Sequence, residues 1–219
     1  MAKKVGVILS GCGVYDGAEI HESVLTMLAL DRAGAEIVVC APDVEQMHVV
    51  DHHTGEVAQG EHRNVRVESA RIARGPVADV TEVDASQLDA LILPGGFGAA
   101  KNLCSFAVAG ADCKVDSGVA DLIRQVHAQG KPIAAVCIAP ALLAKVLGAE
   151  GPALTIGTDV ATAGALEAMG ATHVSCPVTE FVIDRDRKLV TTPAYMLAQS
   201  ISEAAVGIEK TVKALLDMA

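Results

Sequence analysis

Short runs of apolar residues alternate along this chain with longer segments in which apolar positions recur every three or four residues. The short runs have the length of strands buried on both faces of a sheet, and we predict four, at residues 5–10, 36–41, 88–93 and 133–136. The longer segments predict helices, at residues 18–33, 115–126, 140–147, 161–169 and 195–216. Residues 43–84 are polar and their pattern is ambiguous, although residues 65–73 could form a short helix. This alternation predicts a flavodoxin-like, doubly wound α/β fold, in which a mostly parallel sheet carries helices on both faces.

The last third of the chain adds two smaller features. Residues 155–157 suggest a short strand, and the apolar runs 181–184 and 188–191 flank a charged turn, as in a β-hairpin. No internal repeat or low-complexity linker interrupts the sequence. Because 219 residues suit one domain, we predict that residues 1–219 form a single domain.

Composition and charge narrow the classes of function. Hydrophobic residues make up 51% of the chain but aromatic residues only 2%, so the core must consist of Ala, Val, Ile and Leu. A formal net charge of −10 argues against a nucleic-acid partner and, more weakly, against an anionic membrane surface. No apolar stretch reaches the roughly 18 residues of a transmembrane helix. The first apolar run is too short for a signal peptide and is better explained as a strand.

The cysteines are predicted to be free thiols in a reducing compartment, which we expect to be the cytoplasm. None forms a Cys-x-x-Cys pair, and no histidine lies at zinc-ligand spacing from them, so no metal site is predicted. A chain of this size needs no disulfide to support its core. Gly11-x-Gly13 only partly matches a dinucleotide fingerprint, so no cofactor is predicted either. The cysteines stand at positions 12, 40, 104, 113, 137 and 176.

Cys137 is the first candidate for chemistry. It lies between a predicted strand and a predicted helix, and Ala135 and Ala139 provide the small residues that a nucleophile elbow needs on either side. A thiol at a helix N-terminus is favoured as the thiolate, and the backbone N–H of Ile138 would face the reacting centre. A buried structural cysteine is the competing interpretation, and the local pattern does not decide between the two.

Two further features would lie at the same edge, because ligands bind at the carboxyl ends of the strands in such sheets. Gly95 and Gly96 follow the third predicted strand, and their N–H groups could complete an oxyanion hole with Ile138. A tight turn is the simpler interpretation of these glycines. Glu19 and Glu22 share a face at the start of the first helix, where a carboxylate could act as a general base. Acidic residues are also common there as solvated side chains.

Three segments together resemble the DJ/ThiJ/PfpI superfamily, which has the class I glutamine amidotransferase-like fold. Residues 17–24, GAEIHESV, are similar to the first-helix segment that carries the family's glutamate, which falls on Glu22. Residues 93–96, LPGG, are similar to its oxyanion loop, and residues 135–144, AVCIAPALLA, to its cysteine elbow. Within the superfamily, the sequence resembles the ElbB branch, associated with isoprenoid biosynthesis and glyoxalase activity, at residues 6–17, 94–103 and 191–196.

This resemblance implies that Cys137 is a nucleophile, that Glu22 is its acid and base, and that Gly95, Gly96 and Ile138 bind the oxyanion. It also implies a homodimer. Amidotransferases of this fold have glycines two residues before and after the cysteine and a His-x-Glu pair, and this chain has alanines and no such tripeptide. PfpI-type proteases have a histidine directly after the cysteine, where this chain has Ile138. The third catalytic residue therefore stays open, with four histidines as possible partners: His21, His52, His53 and His173.

Three kinds of function remain. The first is a glutathione-independent glyoxalase, in which Cys137 attacks glyoxal or a similar small dicarbonyl and Glu22 moves a proton between its carbons. The second is a non-catalytic role, either regulating isoprenoid biosynthesis or sensing oxidants through Cys137. A deglycase or chaperone role is a third alternative that the sequence does not separate from the first.

Overall fold

A seven-stranded sheet forms the centre of the protein in the computed structural model, which describes residues 2–219. The strands are β1 (Lys4–Ile8), β2 (Glu36–Ala41), β3 (Ala78–Asp79), β4 (Ala90–Leu93), β5 (Ile133–Val136), β6 (Ala153–Leu154), β7 (Thr172–His173), β8 (Val182–Asp184) and β9 (Leu189–Thr192). The order in the sheet is β3-β2-β1-β4-β5-β9-β8, and β6 and β7 form a separate pair. All neighbours run parallel except β8 and β9, which form the predicted hairpin.

Helices cover both faces of this sheet, which confirms the predicted flavodoxin-like, doubly wound fold. The helices are α1 (Ile20–Arg32), α2 (Val65–Ala73), α3 (Phe97–Lys101), α4 (Phe106–Ala109), α5 (Ser117–Ala128), α6 (Pro140–Leu147), α7 (Val160–Ala168) and α8 (Ile201–Met218). Alternate residues of each strand point to opposite faces. Leu91 and Leu93 of β4 therefore pack in one core with α5 and α6, while Ala90 and Ile92 pack in the other with α1 and α8.

Several element boundaries shift by one or two residues from the sequence prediction, and two larger differences have a local cause. The short strand expected at 155–157 does not form there, because the backbone N–H of Thr155 donates to Oγ1 of Thr191 (2.9 Å); β6 lies just before it, at Ala153–Leu154. The last helix was expected to start at residue 195. It starts at Ile201, where the side chain of Ser200 accepts a hydrogen bond from the N–H of Glu203 and caps the helix.

The buried face of α1 is not the apolar stripe that its sequence suggests. Ile20, Val24 and Leu28 are exposed, whereas the polar residues Glu22 and Thr26 are completely buried. The helix lies along α8 with its first turn directed at the carboxyl edge of the sheet. This orientation carries Glu22 into the interior, and hydrophobic periodicity alone predicts the opposite.

Gly207 allows α8 to approach the sheet closely. A Cβ atom at this position would lie 2.5 Å from the carbonyl oxygen of Val178 and 2.7 Å from Oγ1 of Thr192. At Gly164 of α7, a Cβ atom would meet nothing within 4 Å.

We expect Gly207→Ala to lower the free energy of unfolding by about 1–3 kcal/mol, because overpacking outweighs the better helix propensity of alanine. The matched change Gly164→Ala should raise that free energy by up to about 1 kcal/mol. Urea denaturation of both variants measures the difference. Stabilisation by both substitutions would contradict the close contact of α8.

Candidate active site

Four segments meet at the carboxyl edge of the sheet, where parallel strands present their loops to ligands. They are the loop 9–19 after β1, the turn 94–96 after β4, Cys137 after β5 and the segment 193–196 after β9. The backbone joins them directly: the N–H of Glu19 donates to the carbonyl of Gly95 (2.9 Å), and the N–H of Cys137 to that of Thr192 (2.9 Å).

Cys137 has the backbone conformation of a nucleophile elbow. Its φ angle is +61°, which is uncommon for a residue other than glycine and costs on the order of 1 kcal/mol or more. Ala135 and Ala139 are fully buried on either side of the turn, as the tight strand-to-helix connection requires. The side chain is 7% exposed at the base of a cavity, so the thiol is enclosed but reachable.

The N–H groups of Gly95 and Gly96, in the turn after β4, have different hydrogen-bond partners. The N–H groups of Gly96 and Ile138 are hydrogen-bond donors to the sulfur of Cys137 and act to lower its pKa. The N–H of Gly95 instead donates to Oε2 of Glu22 (3.0 Å). We expected the N–H group of Gly95 to bind the oxyanion. This expectation is wrong, because that N–H group already donates to the carboxyl group of Glu22. Gly95 is still required, because a Cβ atom there would lie 2.5 Å from Cβ of Cys137.

Glu22 is completely buried, which rules out the interpretation as a solvated carboxylate of the first turn. Its Oε1 atom accepts the N–H of Tyr195 (3.1 Å), its Oε2 atom accepts that of Gly95, and it is also hydrogen-bonded to the side chain of Cys137. Burial, followed by the negative charge of Glu19, raises the pKa of Glu22 to about 8. Glu19 caps α1 through the N–H of Glu22 (2.6 Å).

Cys137 and Glu22 form a coupled pair. Burial and the adjacent charge of Glu22 raise the pKa of Cys137 well above its usual value, because a second negative charge beside the carboxylate is unfavourable. This differs from the thiolate that the helix N-terminus alone suggested. Near neutral pH the pair carries at most one negative charge, so a proton can pass from sulfur to carboxylate as the sulfur reacts.

A cavity of about 460 Å³ opens at Cys137. Gly96, Ile138, Glu19 and Tyr195 also line this cavity, whereas the completely buried Glu22 does not. The remaining wall is mostly apolar and comes largely from α3 and α4. The enclosed reacting groups and the open mouth give the geometry of a small-molecule site.

Tyr195 lines the cavity and is a site residue that the sequence did not reveal, and it contacts His21, one of the four histidines proposed as partners of Cys137. The phenol of Tyr195 hydrogen-bonds to Nδ1 of His21 (2.8 Å), and burial and the charges of Glu19 and Glu22 raise the pKa of this phenol. The phenol of Tyr195 therefore stays protonated, and the backbone N–H of the same residue donates to Oε1 of Glu22. The only signal in the sequence was the position of Tyr195 within a segment that resembles the ElbB branch.

The other histidines proposed as partners of Cys137 lie elsewhere. Nε2 of His52 accepts the N–H of Tyr15 (3.2 Å), and Nε2 of His173 is 3.5 Å from the N–H of Ile156. His53 lies in an exposed turn. The structure therefore provides Cys137 with a carboxyl partner, Glu22, in place of an imidazole.

The remaining expectations concern metals, membranes and assembly. Within residues 2–219, no group of three or more His, Cys, Asp or Glu side chains is arranged to hold a metal ion. In the same part of the chain, no helix is both long and apolar enough to cross a membrane. The cytoplasmic location, the homodimer and the single-domain organisation stay predictions.

Comparisons with known proteins agree with this fold. The model of the DJ-1/PfpI family matches residues 11–199. A human protein, glutamine amidotransferase-like class 1 domain-containing protein 3, mitochondrial, is 47% identical over 226 residues, which cover 99% of this chain and 84% of the human one. The zebrafish ES1 protein, mitochondrial, is 34% identical over 206 residues, covering 88% of this chain and 76% of its own.

A solved structure is also close in shape. The crystal structure of an isoprenoid biosynthesis protein with an amidotransferase-like domain from Ehrlichia chaffeensis superposes with a TM-score of 0.92. It is 38% identical, and the match covers 99% of both chains. Drosophila DJ-1beta, at 23% identity and a TM-score of 0.60, shares the fold.

The raised pKa of Glu22 predicts how the stability of the folded protein changes with pH. Folding raises the pKa of this carboxyl from 4.5 to about 8, so between these values the native state keeps a proton that the unfolded chain releases. Stability due to this group is therefore fully present below about pH 4.5 and is lost as the pH rises through about 8. Glu22→Gln mimics the protonated carboxyl and removes this loss.

We compare the melting temperature of Glu22→Gln with that of the wild type at each pH. The difference, variant minus wild type, should be about 5 °C or more larger at about pH 9 than at about pH 5. Thermal unfolding across this range measures the difference. Glu167→Gln, at an exposed carboxyl on α7, is the control and should show no such trend. A constant difference for Glu22→Gln would mean that the buried carboxyl does not hold its proton.

Proposed function

Because the chain belongs to the DJ-1/PfpI family, we propose that it is a glutathione-independent glyoxalase, which converts glyoxal or a similar small dicarbonyl to the hydroxy acid. The observation that supports this most directly is the contact of a buried thiol with a buried carboxyl group of pKa about 8 at the base of a cavity. A glyoxalase reaction needs one nucleophile and one group that both removes and returns protons, and this pair supplies both.

The first step forms a hemithioacetal. The Glu22 carboxylate takes the proton of the Cys137 thiol while the sulfur attacks an aldehyde carbon, and the electron pair of the C=O double bond moves to oxygen. The N–H groups of Gly96 and Ile138, which face the sulfur, stabilise this oxyanion. Glu22 then gives its proton to the oxygen and becomes a carboxylate again.

The second step moves hydrogen between the two carbons. Glu22 removes the C–H proton of the hemithioacetal, which leaves an enediolate whose charge lies on the oxygen of the second carbonyl. Glu22 then returns this proton to the neighbouring carbon, and the hydroxyl proton of the hemithioacetal passes to the second oxygen, which becomes the alcohol. One carbon is oxidised to a thioester and the other is reduced to an alcohol, so no external oxidant is required. Water then cleaves the thioester, which releases the hydroxy acid and restores the thiol.

Two other functions fit the site less well. Amidotransferase chemistry on a cysteine relies on an imidazole base, and the partner of Cys137 is the carboxyl of Glu22. Oxidant sensing requires a thiol of low pKa, whereas burial and the adjacent charge of Glu22 raise the pKa of Cys137. Both observations favour a reaction in which substrate binding and thiol deprotonation occur together.

The first test is the consumption of glyoxal and formation of glycolate without glutathione. We expect Cys137→Ser to lower kcat/KM at least about a thousandfold, and Glu22→Gln about a hundredfold or more. Cys12→Ser and Glu167→Gln are the matched controls, since neither residue lines the cavity, and both should retain wild-type activity. Full activity in Cys137→Ser, or no activity in the folded wild type, would refute the proposal.

The pH dependence of kcat/KM tests the role of Glu22 as a base. Only the ionised carboxylate accepts the thiol proton, so kcat/KM should rise with pH up to the pKa of about 8 and then level off. Below that pKa we expect about a tenfold change per pH unit. The measurement compares rates at constant ionic strength, and a flat profile between about pH 6 and pH 9 would exclude Glu22 as the base.

A further inference from the structure

The few aromatic residues of this protein are concentrated at one place. The sequence contains three Phe, two Tyr and no Trp. Of these five residues, Phe97, Phe106 and Tyr195 line the cavity above Cys137. Phe97 is half exposed, although it follows a fully buried strand and turn. Exposed aromatic surface at the mouth of a cavity is typical of a place that contacts an apolar ligand.

The cavity is also far larger than glyoxal. Glyoxal has two carbons and two oxygens, and one water molecule occupies about 30 Å³ in the liquid. A volume of about 460 Å³ therefore has room for many times the volume of that substrate. Cavities of this size in other proteins hold ligands with a substantial hydrocarbon part.

The lining of the cavity has a polar and an apolar part. The polar, reacting part is formed by Cys137 with the N–H groups of Gly96 and Ile138, and the side chains of Phe97, Phe106 and Ala107 supply apolar wall. A dicarbonyl placed on the sulfur would direct any substituent on its second carbon away from the polar base. That substituent would then lie against the wall of α3 and α4.

We infer that the site takes 2-oxoaldehydes that carry an aryl or extended alkyl substituent, and that α4 selects this substituent through Phe106 and Ala107. The inference rests on the proposed glyoxalase reaction at Cys137. It names the class of substrate that the cavity is built to recognise, with glyoxal as a minimal substrate that leaves the apolar wall unused.

The test compares kcat/KM for phenylglyoxal with kcat/KM for glyoxal in the same preparation of the full chain. Because one added methylene in an apolar pocket changes kcat/KM about tenfold or more, we expect the ratio to exceed about ten in the wild type. Intrinsic reactivity differs between the two aldehydes, so the decisive measurement is how this ratio changes in wall variants.

Phe106→Ala and Ala107→Phe should each lower the ratio about tenfold, the first by removing the aromatic contact and the second by filling the space. Ala107 is exposed, so its replacement does not disturb the core if Phe106→Ala folds poorly. Val108→Ala is the matched control, since Val108 is 67% exposed on the same helix and outside the cavity, and it should leave the ratio unchanged.

The outcomes separate this inference from the proposed function. Suppose that the protein consumes glyoxal but the ratio of kcat/KM for phenylglyoxal to kcat/KM for glyoxal is below one, or is unchanged in both wall variants. Either result would overturn the inference and leave the glyoxalase reaction intact. A folded protein that consumes neither aldehyde would overturn both. A ratio above about ten that falls in Phe106→Ala and Ala107→Phe but not in Val108→Ala would support the aryl or alkyl substrate class.

Discussion

The burial of one carboxyl group, that of Glu22, determines the arrangement of the whole site. A carboxylate without solvent is costly unless donors surround it, and here the donors are the N–H of Gly95, the N–H of Tyr195 and the thiol of Cys137. Each donor comes from a different loop at the carboxyl edge of the sheet. The carboxyl group therefore fixes three loops relative to one another. Burial and the charge of Glu19 raise its pKa to about 8, although the three donors act to lower it.

Close backbone contacts follow from this arrangement. For α1 to carry Glu22 into the interior, its first turn must touch the loop after β4. A Cβ atom at Gly96 would lie 2.4 Å from the backbone nitrogen of Glu19, and one at Gly98 would lie 2.4 Å from the carbonyl carbon of Gly17. These glycines are present because two backbones pass at contact distance. The flexibility of a turn, which was the simpler interpretation of the sequence, is only part of their role.

The parts of the structure that local patterns determine were predictable from the sequence. The strand Ile133–Val136 and the helix Pro140–Leu147 have the predicted bounds, because a buried apolar run and a proline at the first helical position each mark an end. The start of α8 was missed, because Ser200 caps it only after a turn that Pro193 and Ala194 impose. Local periodicity carried no information about that turn.

The site shows the same division between local and tertiary information. Cys137 was found because its elbow is local, with small residues at fixed offsets in the sequence. The burial of Glu22 depends on the packing of α1 against α8 and the sheet, and the apolar stripe of α1 predicts the opposite face. Tyr195 contributes a backbone N–H and a phenol from a distance of 173 residues along the chain, and no spacing rule connects it to Glu22.

In the proposed reaction, separate parts of this fold position the reacting atoms and contact the substituent of the substrate. Backbone groups at strand ends position the reacting atoms, whereas the apolar wall belongs to the segment between β4 and α5. That segment is closed at its base by hydrogen bonds from the N–H of Ser105 to the carbonyl of Lys114 (3.0 Å) and from the N–H of Asp116 to that of Leu103 (2.8 Å). Substitutions on α4 can therefore reshape the wall without moving Cys137 or Glu22, and substrate range can change while the reaction stays the same.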